Sequence, residues 1–223
     1  MIITLSRQMG SGGDVIARRV ATELGLLLVG RDYIRTASLA AGIPADLLQR
    51  LMYEEQPPSL AAEVVESLSS VPRRISGVGT PVPNPLGTVF APILVPASVS
   101  REEGVKAVGA VIDAVVSQGN VLLLGQAGQI LLRGKPATLH VQIVAPLELR
   151  IGRMTELHQL TRATAQRRVR TSDAARADYL ARYHDANWLD PLLYHLVINT
   201  GQLSLDDAAA LIVDAAQRLK HDA

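Results

Sequence analysis

Residues 1–14 read Met1-Ile2-Ile3-Thr4-Leu5-Ser6-Arg7-Gln8-Met9-Gly10-Ser11-Gly12-Gly13-Asp14, and this stretch decides the fold. Ile2, Ile3 and Leu5 form a short apolar run of the kind that fills a buried strand. The run breaks at Gly10-Ser11-Gly12-Gly13, where glycines permit a tight turn and let backbone N–H groups come close to a ligand. A helical pattern begins at once, with Val15, Ile16, Val20 and Leu24 directed toward a core. Strand, glycine turn and helix together make a phosphate cradle, because the helix adds its positive dipole end and unpaired N–H groups. Against the standard phosphate loop G-x-x-x-x-G-K-[ST], Arg7 stands at the first glycine, Gly13 at the lysine and Asp14 at the hydroxyl residue. The cradle is present and its usual cation is missing. Arg7 flanks the turn on a long side chain and is the best cationic stand-in. Asp14 cannot replace the lysine directly, but its carboxylate suits magnesium, a hard cation that prefers oxygen ligands. If the cradle serves phosphoryl transfer, a lysine placed at Gly13 is expected to be tolerated.

Outward from this stretch, 223 residues suffice for one large α/β domain or a domain with an inserted subdomain. Apolar residues make up 48% and aromatics 3%, so Ala, Val, Leu and Ile must fill the core. The formal net charge of +1 gives no reason to expect nucleic acid as the main partner. Cysteine is absent, which excludes disulfides and thiolate zinc sites and fits a reducing cytosol. The N-terminal apolar run is too short for a signal peptide and lacks a basic flank. No stretch approaches the length of a membrane span. The expectation is a soluble, cytoplasmic protein without a membrane partner.

Four more short apolar runs read as buried strands: Leu26–Val29, Val121–Leu124, Leu139–Val144 and Leu196–Asn199. Helical patterns fall between them, at about Tyr33–Ala41, Ala45–Tyr53, Ser59–Ser69, Ser100–Ser117, Gln129–Arg133, after Pro146, at Thr161–Tyr183 and at Leu205–Leu219. Ser100-Arg101-Glu102-Glu103 has the form of a capping box. Residues 71–98 hold six prolines and three glycines, a density of breakers that forbids long helices. That segment reads as a loop or, alternatively, as a flap over a substrate. Alternating buried strands and helices argue a parallel sheet covered on both faces. Ligands of such sheets bind beyond the carboxyl ends of the strands, an edge that holds Ser6–Gly13, Gly125–Gln129 and Ala145.

Between residues 150 and 182 lie Arg150, Arg153, Arg162, Arg167, Arg168, Arg170, Arg176 and Arg182, against Glu156, Asp173 and Asp178 alone. A solvated helix face would account for this, since arginine is a good helix former. An anion clamp would also account for it, because guanidinium forks bind phosphate oxygens and stay charged at any relevant pH. Arg150 and Arg153 share a helix face next to the ligand edge, and Asp173 and Arg176 are spaced the same way. His140 reads as a satisfied sheet histidine. His158, His184, His195 and His221 show no metal-ligand spacing, and Trp188 is expected to pack the return of the hairpin onto the core.

The opening Ile-Thr-Leu-Ser-Arg-Gln-Met-Gly-Ser-Gly-Gly resembles the start of the cytidylate kinase-like proteins, a branch of the P-loop nucleoside monophosphate kinases. Further matches are Leu123-Leu124-Gly125, Val144-Ala145-Pro146-Leu147-Glu148-Leu149-Arg150-Ile151, Asp173-Ala174-Ala175-Arg176-Ala177-Asp178-Tyr179, Trp188-Leu189-Asp190 and Tyr194–Thr200. The resemblance implies a three-layer P-loop fold with a five-stranded parallel sheet, helices on both faces and an arginine-rich helical lid. It divides the chain into a core (1–30, 101–149, 184–223), an acceptor-binding region (31–100) and a lid (150–183). It implies transfer of the γ-phosphoryl of ATP to CMP or dCMP with magnesium, and leaves a homodimer open. By position, Ser6, Arg7, Gly10, Ser11, Gly12, Gly13 and Asp14 would form the phosphate loop, with Gly125 and Gln126 beside it and Asp14 at the metal. Arg7, Arg150, Arg153, Asp173 and Arg176 would serve the transfer, with Arg167 or Arg170 on the return of the lid. The turn after the third strand usually carries an arginine, where this chain has Gln126. A nucleotide-binding regulator with little or no transfer, or a kinase of a non-nucleotide small molecule, are the rival readings.

Overall fold

The computed structural model describes residues 1–53 and 100–221. The helix expected at Ser59–Ser69 and the Pro/Gly-rich segment lie outside the described residues. Five parallel strands, β1 (Ile2–Arg7), β2 (Leu27–Val29), β3 (Val121–Leu124), β4 (Thr138–Val144) and β5 (Leu196–Asn199), form one sheet in the order β2-β3-β1-β4-β5. Ile2 pairs with Val121 on one side and Thr138 on the other, so β1 lies at the centre. All five expected strands are present, with ends displaced by at most a residue except that β1 runs two residues past Leu5, to Arg7.

Eight α-helices are found among the described residues: α1 (Gly13–Leu24), α2 (Arg31–Ala40), α3 (Ala45–Tyr53), α4 (Arg101–Val116), the single turn α5 (Gly128–Leu131), α6 (Leu147–His158), α7 (Arg162–His184) and α8 (Leu205–His221). The period-two alternation of the strands divides the core between the faces. Ile3, Leu5, Leu122, Val141 and Ile143 meet Ile16 and Val20 of α1 and Ala208 and Ile212 of α8. Ile2, Val29, Val121 and Leu123 face α2, α3 and α4 through Ile34, Leu48, Val111 and Ile112. The capping box at Ser100 is formed in both directions, with Glu103 N–H donating to Ser100 Oγ and Ser100 N–H to Glu103 Oε2. Helices α6 and α7 form a hairpin with its own small core of Ile151, Met154, Ala165 and Val169. Trp188, Leu180 and Ala127 join the end of that hairpin to the sheet, as expected of Trp188.

One face of β1 and β4 carries polar side chains, and each finds a partner. Thr4 Oγ1 and His140 Nδ1 are 2.8 Å apart, and Gln142 Nε2 donates to the Trp188 carbonyl at 2.8 Å. The His140 N–H donates to His195 Nδ1 at 2.9 Å, and the two rings stack with centroids 5.0 Å apart. His140 is therefore a satisfied sheet histidine. Burial, with help from His195 and Arg133, holds its pKa down at about 4, against 6.5 when unburied. The unfolded chain binds that proton first, so stability present above about 6.5 drains away as pH falls toward about 4. Urea midpoints measured across that window should fall less steeply for His140→Gln than for the wild type. Parallel curves would show that another group governs the acid limb.

Candidate phosphate-binding site

Three backbone anchors shape the turn after β1. The Gln8 N–H donates to the Ile143 carbonyl at 3.0 Å, the Ala145 N–H donates to Gln8 Oε1 at 3.0 Å, and the Ser11 N–H donates to the Gln8 carbonyl at 3.1 Å. Gly10 and Gly12 take positive φ values of 79° and 85°. Neither could carry a side chain: a Cβ on Gly10 would lie 2.6 Å from the Arg150 carbonyl oxygen, and one on Gly12 would lie 2.5 Å from Leu205 Cδ2. Gly12 caps α1 without a side-chain bond, and the N–H groups of Val15 and Ile16 both donate to its carbonyl. The N–H groups of the first turn before Val15, Gly13 and Asp14, have no acceptor within the helix. They form the positive end that an anion would meet.

Arg7 runs directly across this turn. A Cβ on Gly13 would fall 2.5 Å from Arg7 Cβ and 2.8 Å from Arg7 Cγ, so the arginine stem fills the space above Gly13. Its Nη2 donates to Asp14 Oδ1 at 3.1 Å, while Nη1 sits 2.8 Å from where a Cβ on Gly125 would be. Arg7 Nε is buried without a hydrogen-bond partner among the described residues. The absence of a side chain at the lysine position and the presence of an arginine at the first-glycine position are thus one packing solution. This corrects the expectation that Gly13→Lys is tolerated. The variant must displace Arg7 and is expected to lose about 1–3 kcal/mol through overpacking, read as a lowered denaturation midpoint. An unchanged midpoint would mean that Arg7 swings aside freely.

Arg150 and Arg153 hold backbone. Arg150 is 5% exposed. Its Nε donates to the Ala145 carbonyl at 3.0 Å, and its Nη1 donates to the Met9 carbonyl at 3.4 Å and to Asp173 Oδ2 at 2.7 Å. Arg153 donates from Nη1 to the Ser11 carbonyl (3.1 Å) and to Thr200 Oγ1 (2.9 Å), and from Nη2 to the Thr200 carbonyl (2.9 Å). Thr200 Oγ1 in turn donates to the Ser11 carbonyl at 2.6 Å. Carbonyls 9 and 11 of the turn are thereby tied to α6 and to the end of β5. Arg162 pairs with Glu148 in solvent. Arg176 places its guanidinium 5.8 Å from the centre of the Trp188 ring.

A cavity of about 590 Å³ opens over the turn, with Arg7, Gly10, Gly12, Asp14, Arg153 and Arg176 on its wall. Arg18, Glu156 and His158 add charge or polarity, and Met9, Val15, Met154, Leu157 and Leu205 add apolar surface. The size is that of an ordinary small-molecule site. Of the other expected residues, Gly13 lies beneath Arg7, Gly125 beside its guanidinium, and the buried Arg150 pairs with the half-buried Asp173 behind the turn. Ser11 is fully buried, with Oγ lacking a hydrogen-bond partner among the described residues. Ser6 turns away to the phenol of Tyr194. Gln126 sits at φ 59° in a turn that Gly125 begins at φ 78°, and is not on the cavity wall. Gln8 and Thr200, which fix the turn, were missed by sequence reasoning. Thr200 ends the run Tyr194–Thr200 at the ligand edge, and that position is the signal that could have found it.

The sheet order, the glycine turn at its carboxyl edge and the arginine-rich helical hairpin define a P-loop kinase-type fold. The chain belongs to the cytidylate kinase-like family, whose model matches residues 2–202. An uncharacterized protein from Eubacterium ventriosum has a similar structure, with a TM-score of 0.63 at 16% identity over 97% of this chain and 98% of that one. Shikimate kinase from Acinetobacter baumannii, in complex with shikimate, aligns with a TM-score of 0.46 at 16% identity over 97% of this chain and 93% of its own. A uronate isomerase from Corynebacterium glutamicum is 32% identical over 108 residues, 48% of this chain and 20% of that protein. The chain thus spans about a fifth of that relative's length. No described helix is long and apolar enough to cross a membrane.

Proposed function

We propose that this protein transfers the γ-phosphoryl of ATP to a nucleoside monophosphate of the CMP or dCMP kind. Membership of a cytidylate kinase-like family supports phosphoryl transfer of the kinase type. The observation that carries the reading is Arg7, packed on Gly13 with its guanidinium beside the cradle. Phosphoryl transfer depends on positive charge fixed where charge builds up on the transferred group. Arg7 supplies that charge from the strand side, and Arg176 from the hairpin side of the same cavity. The apolar part of the wall, Val15, Met154, Leu157 and Leu205, offers a surface for the base.

Among the described residues no three metal-ligating side chains cluster. The donor set still fits magnesium, which binds through one or two carboxylates plus substrate phosphates and keeps its waters. Asp14, with a side chain 58% exposed at the cradle, would hold it. When bound, magnesium neutralises charge on the phosphates. Arg153 and Arg150 orient the turn through its carbonyls, and acceptor binding falls to the region 31–100. The lack of cysteine supports a cytoplasmic setting.

The test is a coupled ADP-release assay with ATP and a panel of nucleoside monophosphates including CMP and dCMP. Glucuronate belongs in the panel, because one partial relative is named for a uronate. Acceptor-dependent ADP with CMP or dCMP supports the reading, and turnover with glucuronate alone moves it to a sugar-acid kinase. ATP binding without ADP from any acceptor replaces it with the regulatory role, which the missing lysine and Gln126 favour.

A further inference from the structure

A second cavity, of about 330 Å³, opens at the opposite edge of the sheet. It lies where β4 and β5 begin, with Thr138 and His195 on its wall. The 7 residues of β4 separate it from the cradle, a span of about 20 Å at the usual strand rise. Arg133, Lys135, His140 and His195 line it, and no carboxylate does. Behind the wall, Asp113 of α4 pairs with Lys135, and Asp190 acts on Tyr194. Arg133 has no ion-pair partner among the described residues. Leu192, Leu193 and Leu219 add apolar surface to the lining, with Tyr194 beside them.

The histidines are fixed in a definite way. His195 Nδ1 accepts the His140 N–H, so a neutral His195 carries its proton on Nε2 and can donate from it. The His195 N–H returns a bond to the His140 carbonyl at 2.8 Å, which locks the two residues together. The stacked rings, tied by two hydrogen bonds, line the same cavity as the two cationic side chains.

We propose that this cavity is an anion site, separate from the phosphate cradle, for a small carboxylate- or phosphate-bearing molecule with an apolar body. Guanidinium and ammonium groups supply charge-assisted bonds to such an anion, the imidazole Nε2–H supplies a further donor, and the leucine wall receives the body. The Arg133 charge that helps to keep His140 neutral is the field that an anion would meet. The absence of any lining carboxylate sets this cavity apart from the larger one, where Asp14 and Glu156 accompany the arginines.

The test is an NMR titration of the full chain with benzoate and with phenyl phosphate, following the ring signals of His140 and His195. At least one probe should move both signals to saturation, and Arg133→Gln should weaken that binding about tenfold or more. The same variant should leave nucleotide binding at the cradle unchanged, so this test stands whether or not the kinase reading does. A response to phenyl phosphate alone assigns a phosphoryl ligand, and a response to benzoate alone a carboxylate. Shifts confined to the amides of Gly10–Asp14, no saturable shift, or equal binding by Arg133→Gln would overturn the proposal.

Discussion

Arg150→Ala is expected to lose about 3 kcal/mol of stability, the lower end for breaking a buried pair, because it leaves the half-buried Asp173 carboxylate without its partner. Arg150 is 5% exposed, and the Asp173 side chain it pairs with is 22% exposed. Asp173 Oδ1 already lacks a hydrogen-bond partner among the described residues, so Oδ2 depends on Arg150. The Ala145 and Met9 carbonyls would lose their guanidinium donor in the same step. Arg162→Ala removes a pair whose side chains are 66% and 67% exposed, and such surface pairs are worth about 0–1 kcal/mol. Urea denaturation of the two variants makes the comparison. Similar midpoints would return the whole arginine series to the status of a solvated face. The double variant Arg150→Met with Asp173→Leu should recover much of the loss, since an apolar pair of similar volume often replaces a buried ion pair at no net cost.

Arg7→Ala is expected to lower kcat by about 10²–10³-fold or more, the scale seen when a fixed group that stabilises developing charge is removed. The variant removes a cation and also frees Asp14, whose carboxylate then faces the triphosphate without its 3.1 Å partner. KM for ATP should rise as well. Arg7→Lys should recover part of the rate, because a point charge remains although the two-sided reach to Asp14 and Gly125 is lost. The readout is steady-state ADP formation with the acceptor that the panel identifies. Turnover that survives Arg7→Ala would move the catalytic charge to Arg176 and the hairpin.

The strands were legible because each carries a short apolar run near a turn residue, although β1 and β4 have a polar face and the edge strands β2 and β5 leave Leu27 and Val197 exposed. The glycine turn was legible because positive φ at Gly10 and Gly12, with no room for a Cβ at either, strongly favours glycine. Side-chain direction was the part hidden from the sequence. Spacing places Arg150 and Arg153 on one helix face beside the ligand edge, yet spacing does not say whether a guanidinium meets a phosphate or a carbonyl. Both turn to the carbonyls of Met9, Ser11, Ala145 and Thr200. The coupling of Arg7 to Gly13 was hidden for the same reason, since residues six apart in sequence become neighbours only when the turn folds back. Ser6 and Gln126 fit the motif by position but point elsewhere or leave the cavity wall.

The central claim is that the turn from Met9 to Asp14 holds the phosphates of a nucleotide. Amide chemical shifts recorded during titration with ATP and magnesium test it most directly. The expected result is saturable movement led by Gly10, Gly12, Gly13 and Asp14, weakened in Arg7→Ala. Saturable binding whose shifts gather elsewhere, with these four amides unmoved, would contradict it.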